Sequence, residues 1–381
     1  MAVRAGEPAA DRVTMRGDSS RGVARKTMRP GRALATAQPG GLDERNLALA
    51  TYLTQWAVAS GNRASPALFH LAMHRRTRQV LLSIPHYFRE VRTEVRSLST
   101  AYQWLYFKVP YLFPLSRFPN RVTLEPTNSC NFSCPHCRRS VMTRAIGAMG
   151  FDLFRKLAVE ISQWPRTIVK LGGLGEPSTH PHFEKQMELL AELGIRVILY
   201  TNGTLLRLYP AERILSWNLH TLVVSVDGVD ESSFERLRVG GSFAQTVESV
   251  SEFHRAKRDA NARFPVEIRH VIMPSESNEQ LARFKREWME RADTVKFNFL
   301  MPLRPAGASS RRGRCRDIRR ELYIRWDGRV PQCGYNTEWM ADARESSIQE
   351  IWMHPRLQEL RRSHRKRDMS GEPHCRSCAF Q

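Results

Sequence analysis

Arg121-Val-Thr-Leu-Glu125-Pro-Thr-Asn-Ser-Cys130-Asn-Phe-Ser-Cys134-Pro-His-Cys137 is the stretch that decides the fold. It opens as a strand and runs directly into three cysteines on one short loop. Three thiolates at C-x-x-x-C-x-x-C spacing can wrap one face of a cubane cluster. They ligate three irons and leave the fourth without a protein ligand. Zinc is the competing reading, but it takes four ligands, and His136 stands between two of the cysteines.

Downstream of this loop, short strands alternate with helices. Strands are expected at 121–127, 167–172, 196–201, 221–226, 265–273 and 294–300. Helices are expected at about 152–163, 182–193, 205–216, 243–259 and 278–291. Six strand-then-helix units predict an α/β fold with a parallel sheet. They are too few to close an eight-stranded barrel, so a curved, open (β/α)6 partial barrel is expected. Chemistry in such a sheet sits at the carboxy-terminal ends of the strands. Strand alternation sends the apolar residues to the outer helices. Glu125, Lys170, Glu267, Arg269, Lys296 and Asn298 then face the lumen as candidate substrate residues. Buried charges need partners or a ligand, so these groups either grip a substrate or pair with one another. Arg269 or Lys296 could hold an anion.

The last part, 304–381, reads differently. Glu321-Leu-Tyr-Ile-Arg-Trp326 and Arg329-Val-Pro-Gln-Cys333 flank Asp327-Gly328, a hairpin signal. Ser347-Ile-Gln-Glu350 reads as a capping box that opens a helix. Cys315, Cys333, Cys375 and Cys378 are the remaining four of seven cysteines. Four thiolates in so small a domain supply the staple it needs, as a closed [4Fe–4S] cluster or a zinc knot.

Residues 1–42 lack apolar periodicity and read as a disordered basic tail. Met15 and Met28 are alternative starts. Residues 43–115 read as a helical extension that ends in an aromatic, proline-broken segment. That segment is expected to pack on the neighbouring domain. The core is expected at 116–303 and the small domain at 304–381. No apolar run is long enough to span a bilayer, and no signal-peptide core is visible. Close cysteine spacing without an export signal points to the cytosol. The formal net charge of +21 raises the possibility of a phosphate-bearing partner. There is no recognisable RNA-binding module or aromatic stacking platform, so nucleic acid is not the expected partner.

The cysteine loop resembles that of the radical S-adenosylmethionine (SAM) superfamily, and further motifs follow in that family's order over about 121–303. The resemblance implies SAM contacts at His136, in the place of an aromatic that lies against the adenine. It implies others in Gly172-Gly173-Leu174-Gly175-Glu176-Pro177, at Asn202 of Thr201-Asn202-Gly203, and at Ser225 of Ser225-Val-Asp227-Gly228. It implies that Cys130, Cys134 and Cys137 hold a [4Fe–4S] cluster whose open iron binds SAM. The implied chemistry is reductive cleavage to a 5′-deoxyadenosyl radical that abstracts hydrogen from a substrate. The carboxy-terminal set resembles the "twitch" form of the SPASM domain, implying a second [4Fe–4S] cluster on Cys315, Cys333, Cys375 and Cys378. A full SPASM domain would need more cysteines. The layout is most similar to twitch enzymes of the 2-deoxy-scyllo-inosamine dehydrogenase type. That implies a small polar substrate, carbohydrate or aminocyclitol-like, an oxidoreductase outcome, and a flavodoxin- or ferredoxin-type electron donor. The alternatives are a peptide- or protein-modifying radical enzyme and a nucleic-acid-binding iron–sulfur protein.

Overall fold

The computed structural model describes residues 110–112, 114–300, 314–376 and 378. The expected basic tail, most of the helical extension and residues 301–313 at the start of the small domain lie outside the described residues. Among the described residues, seven parallel strands form one sheet in the order β6-β5-β4-β3-β2-β1-β7. They are β1 (Arg121–Leu124), β2 (Ile168–Leu171), β3 (Arg196–Thr201), β4 (Leu219–Ser225), β5 (Val266–Ile272), β6 (Thr294–Phe299) and β7 (Glu321–Ile324).

The sheet has one apolar and one polar face because the side-chain period of a strand is two. Val122, Leu124, Val169, Leu171, Val197, Leu199, Leu222, Val224, Val266 and Ile268 are all fully buried. They pack against helices α1 (Phe151–Ser162), α2 (Phe183–Glu192), α3 (Leu205–Leu208), α4 (Ala211–Ser216), α5 (Glu231–Leu237), α6 (Phe243–Asp259) and α7 (Asn278–Met289). The helices answer with stripes such as Phe154, Leu157, Ala158 and Ile161 of α1, at the spacing of one helix face. The expected helix at 205–216 is split into α3 and α4 around Pro210, which cannot donate a backbone hydrogen bond. The short helix α5 was missed; its Asp230 capping box with Ser233 is the local signal for it.

The expected hairpin is corrected in its pairing. Asp327-Gly328 does make a tight turn, with Arg325 N–H donating to the Arg329 carbonyl at 3.0 Å. The strand before that turn, β7, instead joins the main sheet beside β1. The strand after it, β8 (Arg329–Pro331), pairs antiparallel with β9 (Trp339–Asp342). The free edge of β1 offers a full row of donors and acceptors, and β7 takes it. The sheet therefore has seven strands and draws its last one from the carboxy-terminal segment.

That segment is welded to the core by polar bonds as well as by the sheet. Ser347 and Glu350 form the expected capping box of α8 (Ile348–Trp352). The Ile348 N–H donates to Glu160 of α1 at 2.7 Å. Lys156 donates to the carbonyls of Ala343 and Ser346. The buried Trp352 indole donates to the Ser116 carbonyl at 2.8 Å. From α9 (Pro355–Lys366), Arg361 stacks over that indole at 3.9 Å.

Candidate active site

The three cysteines leave the carboxy-terminal end of β1, and several backbone and side-chain bonds hold their loop. Glu176 is its main brace. The Glu176 N–H donates to the Ser129 carbonyl at 2.9 Å. The fully buried Glu176 carboxylate accepts from Ser178, from the Thr201 hydroxyl at 2.9 Å and from the Asn202 N–H at 2.7 Å. Burial pushes its pKa up, against the pull of those donors. Asn202 passes the support on: its side-chain amide donates to Asn131 at 2.9 Å and reaches to 3.9 Å from the Cys130 sulfur.

The glycine-rich segment owes its composition to the protein around it. A Cβ on Gly175 would come within 2.3 Å of the Thr127 carbonyl oxygen and 2.4 Å of that of Ser129. A Cβ on Gly173 would meet the Tyr323 hydroxyl at 2.6 Å and the Glu125 side chain at 2.8 Å. Larger residues at either place would displace the cysteine loop or the Glu125 strut.

His136 lies between the second and third cysteines. Its Nε2 stands 2.9 Å from Asp227, while its Nδ1 is buried without a partner. Asp227 also accepts the Val271 N–H at 2.7 Å and pairs with Arg238 at 2.6 Å. Burial alone would raise the Asp227 pKa. Arg238 and His136 outweigh burial and hold it down to about 2. Ser225, by contrast, sits at the end of β4 in register with Arg269 and is only partly buried.

All seven cysteines are free and partly buried. Burial raises the Cys130 pKa and pushes Cys134 up to about 11. In the second set, burial raises Cys333 and pushes Cys315 and Cys375 up to about 12. The sulfurs are close enough to act on one another. Cys137 and Cys130 bear on Cys134, and Cys333, Cys315 and Cys378 bear on Cys375. Sulfurs in such surroundings become thiolates only opposite a strong cationic partner, which cluster iron supplies. Both donor sets therefore fit iron–sulfur groups. Among the described residues, no three His, Cys, Asp or Glu side chains are gathered as they would be around a single metal ion.

The predicted lumen residues fall mostly into two linked knots. Glu125 is fully buried and takes two bonds from Arg144, at 2.7 and 2.5 Å, and one from the Tyr323 hydroxyl at 3.0 Å. Glu267 pairs with Arg269 and with Lys296, the latter at 2.6 Å. Arg269 donates to the Tyr200 hydroxyl at 2.6 Å. Lys170 lies 5.0 Å from the Tyr200 ring centroid and pairs with Glu321 at 3.5 Å. Asn298 is exposed and joins neither knot. These charges pair with one another or with neighbouring strands. Arg144, Tyr200, Arg238 and Tyr323 were missed. None sits in a recognisable motif, and only the tertiary fold brings them to the site. A surface groove of about 710 Å³, between α3–α4 and α6, is lined by none of the predicted site residues.

Two domain families match this chain. Residues 124–287 match the Radical SAM superfamily. The chain belongs to the radical SAM superfamily. Residues 315–379 match the SPASM iron–sulfur cluster-binding domain. The protein is thus an enzyme of this superfamily, and its cofactors are [4Fe–4S] clusters and SAM. Among curated proteins it resembles the AdoMet-dependent heme synthase of Methanosarcina barkeri. The two are 28% identical over 163 residues, 42% of this chain and 45% of that one. It also resembles the antilisterial bacteriocin subtilosin biosynthesis protein AlbA of Bacillus subtilis. That match is 29% identical over 140 residues, 36% of this chain and 30% of AlbA. The chain thus spans less than half the length of these two relatives. Among solved structures, Streptococcus suis SuiB bound to precursor peptide SuiA is similar in fold. Its TM-score is 0.53 at 14% identity, over 65% of this chain and 67% of SuiB. Among the described residues, no helix is long and apolar enough to cross a membrane.

Proposed function

We propose that this radical SAM enzyme abstracts a hydrogen atom from a small, polar, carbohydrate- or aminocyclitol-like substrate and oxidises an alcohol to a ketone. The observation that carries this reading is the contrast between the two thiol sets. Cys130, Cys134 and Cys137 form an incomplete trio at the carboxy-terminal end of β1, beside a polar sheet face. Cys315, Cys333, Cys375 and Cys378 form a complete set elsewhere. When bound, the first cluster and SAM supply the 5′-deoxyadenosyl radical, and the second cluster supplies an electron acceptor.

The chain's own residues have distinct tasks in this scheme. Glu176 and Asn202 fix the cysteine loop. His136, Gly172, Gly173, Gly175, Asn202 and Ser225 surround the SAM site, with Gly173 and Gly175 letting the segment pack close. Arg269, Glu267, Lys296 and Tyr200 form the substrate-facing row, which orients hydroxyl groups and can move a proton along the Glu267 pairs. A flavodoxin- or ferredoxin-type donor and a reducing, cytosolic setting complete the proposal; seven free cysteines are in keeping with both. The domain limits proposed are 116–303 for the core and 304–381 for the small domain, with β7 lent to the core sheet.

A second reading, modification of a peptide, is favoured by the likeness to SuiB in complex with a precursor peptide. One experiment addresses both. The chain is reconstituted anaerobically, iron is counted, and products are analysed with polyols and with peptides. About eight irons per chain and a ketone product support the proposal. About four irons, or a modified peptide with no change in any polyol, overturns it. In the same assay Arg269→Ala and Lys296→Ala should abolish product while leaving substrate-free SAM cleavage intact. If product survives in both, the row does not bind the substrate.

A further inference from the structure

A second feature of the cysteine loop lies outside its ligands and its SAM contacts. The turn after α5, Arg238-Val239-Gly240-Gly241, lies against it. The Ser133 N–H donates to the Val239 carbonyl at 2.9 Å. A Cβ on Gly240 would come within 3.1 Å of the Asn131 carbonyl oxygen, and one on Gly241 within 2.8 Å of the Phe132 ring. The contact places the Arg238 side chain beside the trio. Its guanidinium pairs with Asp227 at 2.6 Å, and Asp227 in turn stands 2.9 Å from His136, between Cys134 and Cys137. The Arg238 Nε is buried and has no hydrogen-bond partner.

We propose that the buried Arg238–Asp227 pair sets the reduction potential of the cluster held by Cys130, Cys134 and Cys137. The inference rests on the reading that this trio holds a [4Fe–4S] cluster. With three thiolates, adding one electron to the oxidised cluster takes the site from a formal charge of minus one to minus two. A fixed cation nearby favours the reduced form, and a fixed anion opposes it. Arg238 is held at the loop by its own turn, which bonds to Ser133 and packs on Asn131 and Phe132, and Asp227 reaches the loop through His136. Because the pair is buried, its field is only weakly screened by solvent. Both members of the pair are thus held beside the trio, with opposite charges. Arg238 is a positioning and tuning residue in this account, since it acts through the cluster and touches no reacting atom.

The test measures midpoint potentials in the full-length reconstituted protein, by electron paramagnetic resonance during a redox titration. Addition of SAM identifies which signal belongs to this cluster. Arg238→Gln should lower the potential, because the cation is lost and Asp227 is left unopposed. Asp227→Asn should raise it, because Arg238 is then unopposed. Arg238→Lys should stay near the parent. Opposite shifts from two neighbouring substitutions are not produced by a merely structural clamp. If the two variants keep their iron and shift the same way, or not at all, the proposal is overturned. If Arg238→Gln does not retain iron, Asp227→Asn decides alone: a raised potential supports the tuning role, and an unchanged one refutes it. A parent protein with no SAM-responsive signal would sink the cluster reading itself, a result separate from either of these.

Discussion

Replacing Glu125 with alanine tests whether this carboxylate is a strut or a substrate group. Its side chain is fully buried and accepts from Arg144 twice, from the Tyr323 hydroxyl, from the Leu174 N–H at 3.2 Å and from the Trp326 N–H at 3.4 Å. Removing it strands the Arg144 guanidinium with no carboxylate and leaves the buried Tyr323 hydroxyl without its acceptor. Breaking a buried ion pair by deleting one partner costs about 3–5 kcal/mol. At roughly 2–4 °C per kcal/mol for a domain of this size, the unfolding midpoint should fall by about 10 °C. Thermal unfolding of the metal-free chain, followed by circular dichroism, reads this without any contribution from the clusters. The double variant Glu125→Ala/Arg144→Ala removes the stranded charge as well. It should be milder than the sum of the two single changes by at least about 1 kcal/mol. A Glu125→Ala protein that melts like the parent but makes no product would refute the strut reasoning and return Glu125 to the substrate.

Two further predictions use the same geometry. Gly175→Ala should cost the chain its iron at the first site, because the new Cβ would press on the Thr127 and Ser129 carbonyl oxygens; iron content after reconstitution checks this. Asp293 accepts from Lys257 at 2.8 Å and from the Val266 N–H at 2.7 Å. Burial would raise its pKa, but those donors hold it below the ordinary 3.8. A depressed carboxylate pKa stabilises the fold above pH 3.8, and that stability is lost as the pH falls through the folded-state value. Asp293→Asn should therefore destabilise the protein at neutral pH and flatten the acid limb of its stability curve, as urea titrations between pH 3 and 6 would show.

The parts legible in the sequence were those governed by local periodicity. The helix expected at 243–259 is observed with those bounds, and the strand at 196–201 likewise. Both carry strong patterns that tertiary contacts reinforce. The buried apolar alternation was also legible: Val122, Leu124, Val169 and Leu171 follow a period of two. What failed was anything decided by long-range competition. Asp327-Gly328 is a sound local turn, and it forms, but the choice of partner for β7 depends on a free edge some two hundred positions earlier in the chain. The same limit hid Arg144 and Arg238. Each is one arginine in a chain with 59 Lys and Arg residues, and only the folded neighbourhood distinguishes it.

The position of β7 bears directly on how the two thiol sets can work together. Tyr323 lies at its centre. Its hydroxyl donates to Glu125, which also receives the Leu174 N–H of the glycine-rich segment. On its other side, a Cβ at Gly334, the neighbour of Cys333, would come within 3.1 Å of its ring. A continuous path of packed and hydrogen-bonded groups therefore runs from the four-cysteine set through Tyr323 and Glu125 to the segment beside the three-cysteine loop. Burial, with Glu125 adding to it, raises the Tyr323 pKa well above its usual value, so the phenol stays protonated and keeps donating. A domain tethered by a linker alone would let the distance between the two sets vary. A shared strand fixes that distance with the rigidity of a sheet, backed by the Glu160 and Lys156 bonds to α1. In the proposed reaction the substrate's leftover electron must reach the second set before the radical is quenched, and a fixed separation serves that step. In the proposed reaction, the strand that broke the expected hairpin is then the element that holds the two cysteine sets in one frame.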